Sequence, residues 1–162
     1  MYFDGPDDIM VISNEEMIMI EYKVKVYEDG TKVWYLNGVH HREDGPAIER
    51  VSGTKEWYLN GVRHREDGPA FVDANGTEVW LINGKYHRED GPAFVGANGT
   101  KEWYLNGEHH REDGPAIERV SGINEWYLNG NSVTENDVMT PVKELTVAEI
   151  EQLLGYKVKV VK

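Results

Sequence analysis

Four times along this chain an imidazole, a guanidinium and two carboxylates stand side by side. The quartets are His41-Arg42-Glu43-Asp44, His64-Arg65-Glu66-Asp67, His87-Arg88-Glu89-Asp90 and His110-Arg111-Glu112-Asp113. Side chains of these types move protons when their pKa values suit the task, ligate metals, or clamp anions. Their spacing argues against a metal. Each quartet lies twenty-three residues from the next, and copies two strands apart in one sheet are separated by roughly 10 Å, twice the interstrand distance. One metal with nitrogen ligands near ~2.1 Å cannot bridge that gap. Each unit supplies one histidine in the quartet, and a fourfold copied active site would need a surrounding pocket that the runs do not suggest. The quartets therefore read as structural: Asp before Gly-Pro accepts hydrogen bonds in a turn, and Arg pairs with carboxylates of its own or the adjacent unit. We expect no catalytic residue, no metal site and no cofactor.

The elements that must hold these quartets are spelled by the same period. Trp34, Trp57, Trp80, Trp103 and Trp126 are evenly spaced, without insertion or deletion. A fixed period of this size marks a repeat array in which each unit buries its apolar side on its neighbours. Asn-Gly, the strongest short hairpin signal, follows each Trp at Asn37, Asn60, Asn83, Asn106 and Asn129. A second glycine turn closes each unit, at Gly30, Gly53, Gly76, Gly99 and Gly122. Asp-Gly-Pro makes a third break, where proline lacks a donor and restricts its predecessor.

A meander that repeats by translation needs an even number of strands per unit. Two are expected, Thr54 to Leu59 and Val62 to Ala74 with a kink at Asp-Gly-Pro; three short strands are the alternative. Along the outgoing strand Trp57 and Leu59 share one face, and Glu56 and Tyr58 the other. The tryptophans should form a ladder whose gaps are filled by Ala70 or Phe71 and their equivalents.

Side chains that differ between copies need not serve the stacking. The pairs after each Asn-Gly are Val39-His40, Val62-Arg63, Lys85-Tyr86 and Glu108-His109. His40, Arg63, Tyr86 and His109 are thus candidate recognition residues. The tyrosine column Tyr35, Tyr58, Tyr104 and Tyr127, interrupted by Leu81, either packs or faces a partner.

The ends look like caps, as an open sheet requires. Ile18, Ile20, Tyr22, Val24 and Val26 alternate with Met17, Met19, Glu21, Lys23 and Lys25 as a strand paired with Ile9 to Ser13 or with the first repeat. After Gly130 the period fails. Thr134 to Asp137 suggests a short helix, and Thr146-Val147-Ala148-Glu149 a capping box with Leu145 and Ile150 as a staple. Ile150, Leu153 and Leu154 make an apolar stripe expected to cover the last repeats or, failing that, to dock a partner, with Gly155 as the stop. Tyr156, Val158 and Val160 then alternate as a final strand. The organisation expected is an N-terminal strand cap over 1–30, a repeat array over 31–130, and a helix–strand cap over 131–162. The fold class is mostly β: an elongated single-layer antiparallel meander of stacked 23-residue hairpins.

Composition narrows function further. The 40% hydrophobic content suits a thin sheet better than a deep core. Without cysteine, thiolate metal sites, disulfides and thiol nucleophiles are excluded. The net charge is −12, and residues 1–22 hold six acids and no Lys or Arg. No basic stripe exists for phosphate-backbone binding. The acidic start is unlike a signal peptide, and no run suits a membrane span, so a cytosolic location is expected.

The period, the Trp followed by Asn-Gly, and the His three residues later resemble MORN repeats over roughly residues 20 to 130. This chain places two residues rather than one between Trp and Asn-Gly. The wording Trp-Tyr-Leu-Asn-Gly and His-Arg-Glu-Asp-Gly-Pro-Ala is similar to repeat proteins of unknown function from tailed bacteriophages, whose endings also resemble Leu145 to Lys162. The resemblance implies stacked hairpins and protein or lipid contacts, with lipid disfavoured by the acidic balance. The expected function is non-enzymatic binding of another protein by the sheet face or hairpin tips, with a host defence component as the natural partner. The alternatives are a protein that sequesters a nucleotide-type small ligand, and an acidic nucleic-acid mimic. A homo-oligomer is compatible with all of them.

Overall fold

The structure, a computed structural model, describes residues 21–140 and 145–158. Its centre is a twelve-stranded antiparallel sheet in which chain order is spatial order. Tyr22–Val26 pairs with Lys32–Leu36, and each following unit adds two short strands, such as Ile48–Glu49 and Lys55–Glu56. The last is Asn131–Val133. The expected meander is what forms, because every turn residue agrees with it.

Both turns follow from backbone chemistry. The five Asn-Gly asparagines have φ of 48° to 54° and are each followed by a positive-φ glycine, the geometry of a type I′ hairpin. The other turn is different. Gly53 N–H donates to the Arg50 carbonyl at 2.9 Å while Gly53 itself sits at φ 97°, a type I turn closed by a left-handed residue.

Each unit keeps the expected two arms, but each arm is divided. In the three inner units the outgoing strand breaks at Trp57, Trp80 and Trp103, leaving a sheet segment and a hairpin segment. Tyr58–Leu59 pairs only with Val62–Arg63, as do the equivalent pairs in the next two units. The returning arm leaves the sheet through His-Arg-Glu-Asp-Gly-Pro and re-enters at Phe71–Val72. The hairpins still stack. Gly61, Gly84, Gly107 and Gly130 each donate a backbone N–H to the preceding unit, to the carbonyls of His40, Arg63, Tyr86 and His109 at 2.8 to 2.9 Å.

The register draws one straight line across the sheet: Val33, Ile48, Glu56, Phe71, Val79, Phe94, Glu102, Ile117 and Glu125 are successive partners on one face. The other face carries the tryptophans. Their gaps are filled by Ala47, Ala70, Ala93 and Ala116, which are wholly buried and accept the Trp N–H at 2.7 to 2.8 Å. Phe71, the other expected filler, is paired with Glu56 on the opposite face. The core is thin: apart from those alanines, the buried apolar residues among those described are Val33, Ile48, Val79, Leu81 and Ile117.

At the front Tyr22–Val26 pairs with the first repeat, as one of the two expectations had it; Ile9 to Ser13, Ile18 and Ile20 lie outside the described residues. At the back, helix α1 spans Glu135–Met139 and helix α2 spans Val147–Leu154. Both begin with full capping boxes, from Thr134 and Thr146, and α2 ends on left-handed Gly155. The expected docking of α2 is corrected. It buries no residue, and Leu153 is 72% exposed. Capping and amphipathicity gave the helix its ends but supplied no complementary surface for its stripe. Tyr156 to Val158 carry no strand, and the remainder of that expected strand lies outside the described residues.

Candidate functional site

Each quartet is a joint. The His41 Nδ1 accepts the backbone N–H of Asn60 at 3.0 Å, and the same bond runs from Asn83 to His64, Asn106 to His87 and Asn129 to His110 at 3.1 to 3.2 Å. The histidine of one unit therefore holds the Asn-Gly turn of the next. An accepting Nδ1 puts the neutral ring's proton on Nε2, where Glu43 lies 3.5 Å from His41. The first turn has no preceding histidine, and the backbone of Glu21 replaces it: Asn37 N–H donates to the Glu21 carbonyl at 2.9 Å.

The arginine closes its own loop. Arg65 lies 4.2 Å over the Trp57 ring, donates through Nε to Asp67 at 2.8 Å, and reaches the Pro69 carbonyl at 3.4 Å. Arg42, Arg88 and Arg111 do the same on Trp34, Trp80 and Trp103. In the outer units Arg42 and Arg111 add Glu49 and Glu118 at 3.1 and 2.6 Å. The guanidinium holds each Asp carboxyl below its usual range. The glycine of Asp-Gly-Pro lets the guanidinium come close: a Cβ at Gly68 would sit 2.8 Å from Arg65 Cζ and would displace that side chain's end. Between two such loops lies a hollow of about 640 Å³ beside Trp80, walled by Arg65 and Arg88 and their carboxylates. Its guanidinium groups are already paired, so it has little cation left to offer an anion.

The opposite face brings the candidate recognition residues together. Hairpin pairing sets Tyr35 against His40, Tyr58 against Arg63, and Tyr104 against His109. Stacking of hairpins then joins the pairs. Ring centroids are 5.1 Å apart for Tyr35–His40 and for His40–Tyr58, 4.8 Å for Tyr86–Tyr104, 4.0 Å for Tyr104–His109 and 5.1 Å for His109–Tyr127. Arg63 lies 5.6 Å over Tyr58 and 5.3 Å over Phe71. All eight side chains thus stand on one face in two stretches, on either side of Leu81.

Acids stand behind three of the ladder tyrosines, and the two-residue spacing of Glu56, Glu102 and Glu125 from Tyr58, Tyr104 and Tyr127 is a same-face signal visible in the sequence. Glu56 is 2% exposed and receives Arg50 at 2.6 Å, Arg63 at 2.5 Å and the Tyr58 hydroxyl at 3.1 Å. Burial pushes its carboxyl up, but the two guanidinium groups outweigh that and its pKa lies below the ordinary value. Glu102 takes the Tyr104 hydroxyl at 2.8 Å and the His109 Nε2 at 3.1 Å. Burial first, then Glu102, raises the Tyr104 phenol; burial and the Tyr27 hydroxyl push Tyr35 up to about 12. These phenols remain neutral donors, which suits them to contact rather than to proton transfer.

Among the described residues, no three His, Asp or Glu side chains converge as a metal site, and no helix is long and apolar enough to cross a membrane. No family model and no curated protein matches the chain.

Proposed function

We propose that this chain is a non-enzymatic binding protein whose partner is another protein, held against the ladder of Tyr35, His40, Tyr58, Arg63, Tyr86, Tyr104, His109 and Tyr127. One observation carries the reading: the two faces are treated differently. The tryptophan face is roofed by the arginine loops repeated over Trp34, Trp57, Trp80 and Trp103. The ladder face gathers the side chains that differ between units. Tyr and Arg side chains gathered on a half-exposed surface are the chemistry of protein recognition. The likeness to tailed-phage repeat proteins makes a bacterial host protein, such as a defence component, the natural partner.

The test is capture from bacterial lysate by the tagged chain, compared with a Y86A/H109A variant. A protein enriched by the wild type and lost with the variant is expected. Equal recovery by both, or recovery of nothing above background, would count against the reading.

A small-ligand reading draws on a hollow of about 720 Å³ on the ladder face, near Arg63 and Tyr86. For a nucleotide the difficulty is that Arg63 already donates to Glu56 at 2.5 Å. Thermal-shift measurement with nucleotides separates the readings, since only a ligand-binding site is stabilised without a protein partner.

A further inference from the structure

The ladder has one interruption, and it is a double one. The third unit carries Leu81 where the others carry Tyr35, Tyr58, Tyr104 and Tyr127, and Val79 where its neighbours on either side carry Glu56 and Glu102. The acid receives the tyrosine hydroxyl in the three units that have both, while the first unit has Val33 in the acid's place and its Tyr35 hydroxyl meets that of Tyr27; only the third unit lacks both ring and carboxylate. At this interruption lies the hollow of about 720 Å³. Val79 and Leu81, both buried, and Phe71 form its apolar base; Tyr58 and Arg63 stand on one side and Tyr86 on the other.

The spacing between its two sides admits one ring. Arg63 and Tyr86 belong to rungs on either side of Leu81, so they are separated by roughly 10 Å. Elsewhere on this face each step between ring neighbours is 4.0 to 5.1 Å, and two such steps with a ring between them span the same distance. Arg63 supplies a cation to one wall and Tyr86 a π-face to the other, which complements the quadrupole of an aromatic ring. Glu56 and the Tyr58 hydroxyl already fix the guanidinium, with Nε of Arg63 2.9 Å from that hydroxyl, so little freedom is lost on binding. With Val79 in place of a carboxylate, the base lacks the acceptor that Glu56 and Glu102 give a phenol in the neighbouring units, and the Thr77 hydroxyl on its lining already receives the Ala97 amide.

We infer that this hollow is the anchor site for the protein partner, and that it receives an aromatic side chain without a polar tip, a phenylalanine, between Arg63 and Tyr86. The inference rests on the protein-binding reading and names the contact that selects the partner.

The test is titration of methyl-labelled protein with N-acetyl-phenylalaninamide, followed by NMR at Val62, Val79 and Leu81 in the wild type and at Val62, which lines the hollow and is kept in both variants, when the variants are compared. N-acetyl-tyrosinamide, N-acetyl-leucinamide and adenosine serve as comparison arms. Phenylalaninamide should move those methyl signals at a concentration several-fold lower than the other three. The V79E/L81Y variant writes the neighbouring unit's residues into the third unit and should fold while losing the response. Leu81→Phe, which fills the hollow without adding a charge, should lose it too.

No shift with phenylalaninamide, an equal or larger shift with leucinamide or adenosine, or a response retained in both variants would overturn the inference. Lysate capture keeps the two levels apart. A partner recovered equally by wild type and V79E/L81Y dismisses the hollow and leaves protein binding standing. If the wild type recovers nothing, the broader reading falls while the titration still decides what the hollow accepts.

Discussion

The Nδ1 atom of His41 accepts the backbone amide of Asn60, nineteen residues away, at 3.0 Å. An imidazole that looked available for chemistry is therefore spent on the seam between two units. The Asn60 amide lies at an exposed turn, so water can replace a lost acceptor there. His87→Ala should then cost only the value of one hydrogen bond, about 1 kcal/mol. His41 is buried at 5% exposure, and His41→Ala should cost more, about 2 kcal/mol, because packing is lost as well. Urea denaturation of both variants checks the ranking; equal costs would mean the seam bond is the whole effect.

Gly68→Ala should destabilise by about 1 kcal/mol or less, mainly by lifting Arg65 from the face of Trp57. The new Cβ would meet the mobile end of that side chain, and Gly68 does not have the positive φ that would add backbone strain. The effect should nearly vanish in an Arg65→Ala background. A double-mutant cycle measures this, and additive losses would contradict it.

Glu56→Gln should cost about 1 to 3 kcal/mol at neutral pH, below the usual loss for a broken buried pair, because both arginine partners reach solvent. The sign with pH follows from its depressed native pKa. The ionised carboxylate's contribution is complete above the ordinary glutamate value of 4.5 and is lost as pH falls through the lower native one. The stability gap between wild type and E56Q should therefore close only in acid. Denaturation midpoints between pH 3 and pH 7 decide it.

Thr146→Ala removes the cap of α2 but should leave global stability within about 0.5 kcal/mol. The helix buries no residue, so its fraying costs the sheet little. Hydrogen exchange at the Glu149 amide, which Thr146 receives at 3.3 Å, should accelerate with the denaturation midpoint unchanged. A midpoint that falls with it would show that the helix supports the array.

Much of this architecture was legible because each local signal pointed the same way. Asn37 and its four counterparts demanded type I′ turns, the Thr134 and Thr146 boxes marked helix starts, and one period set the register. What was not legible needed three-dimensional offsets. Nothing in the run His-Arg-Glu-Asp tells the reader that the imidazole serves the following unit while the guanidinium serves its own tryptophan. The break of the inner strands at Trp57, Trp80 and Trp103 was hidden because alternation continues through it. For α2, amphipathicity marked an apolar stripe but not a surface to receive it. The ladder was half visible: its members were chosen because they vary or recur, and only pairing of Tyr58 with Arg63 and stacking on His40 put them on one surface. Leu81 stood out as an exception by letter, yet its meaning required seeing Val79 beside it.

The seam that joins His41 to Asn60 recurs in the same sense at every later junction. Loss or gain of a complete module would bring a fresh pair of matching ends together and leave the ribbon merely shorter or longer. A single-residue slip would turn every downstream side chain to the wrong surface. Length in such a molecule is heritable in whole steps, and each added step would offer one more place for a variable side chain to appear.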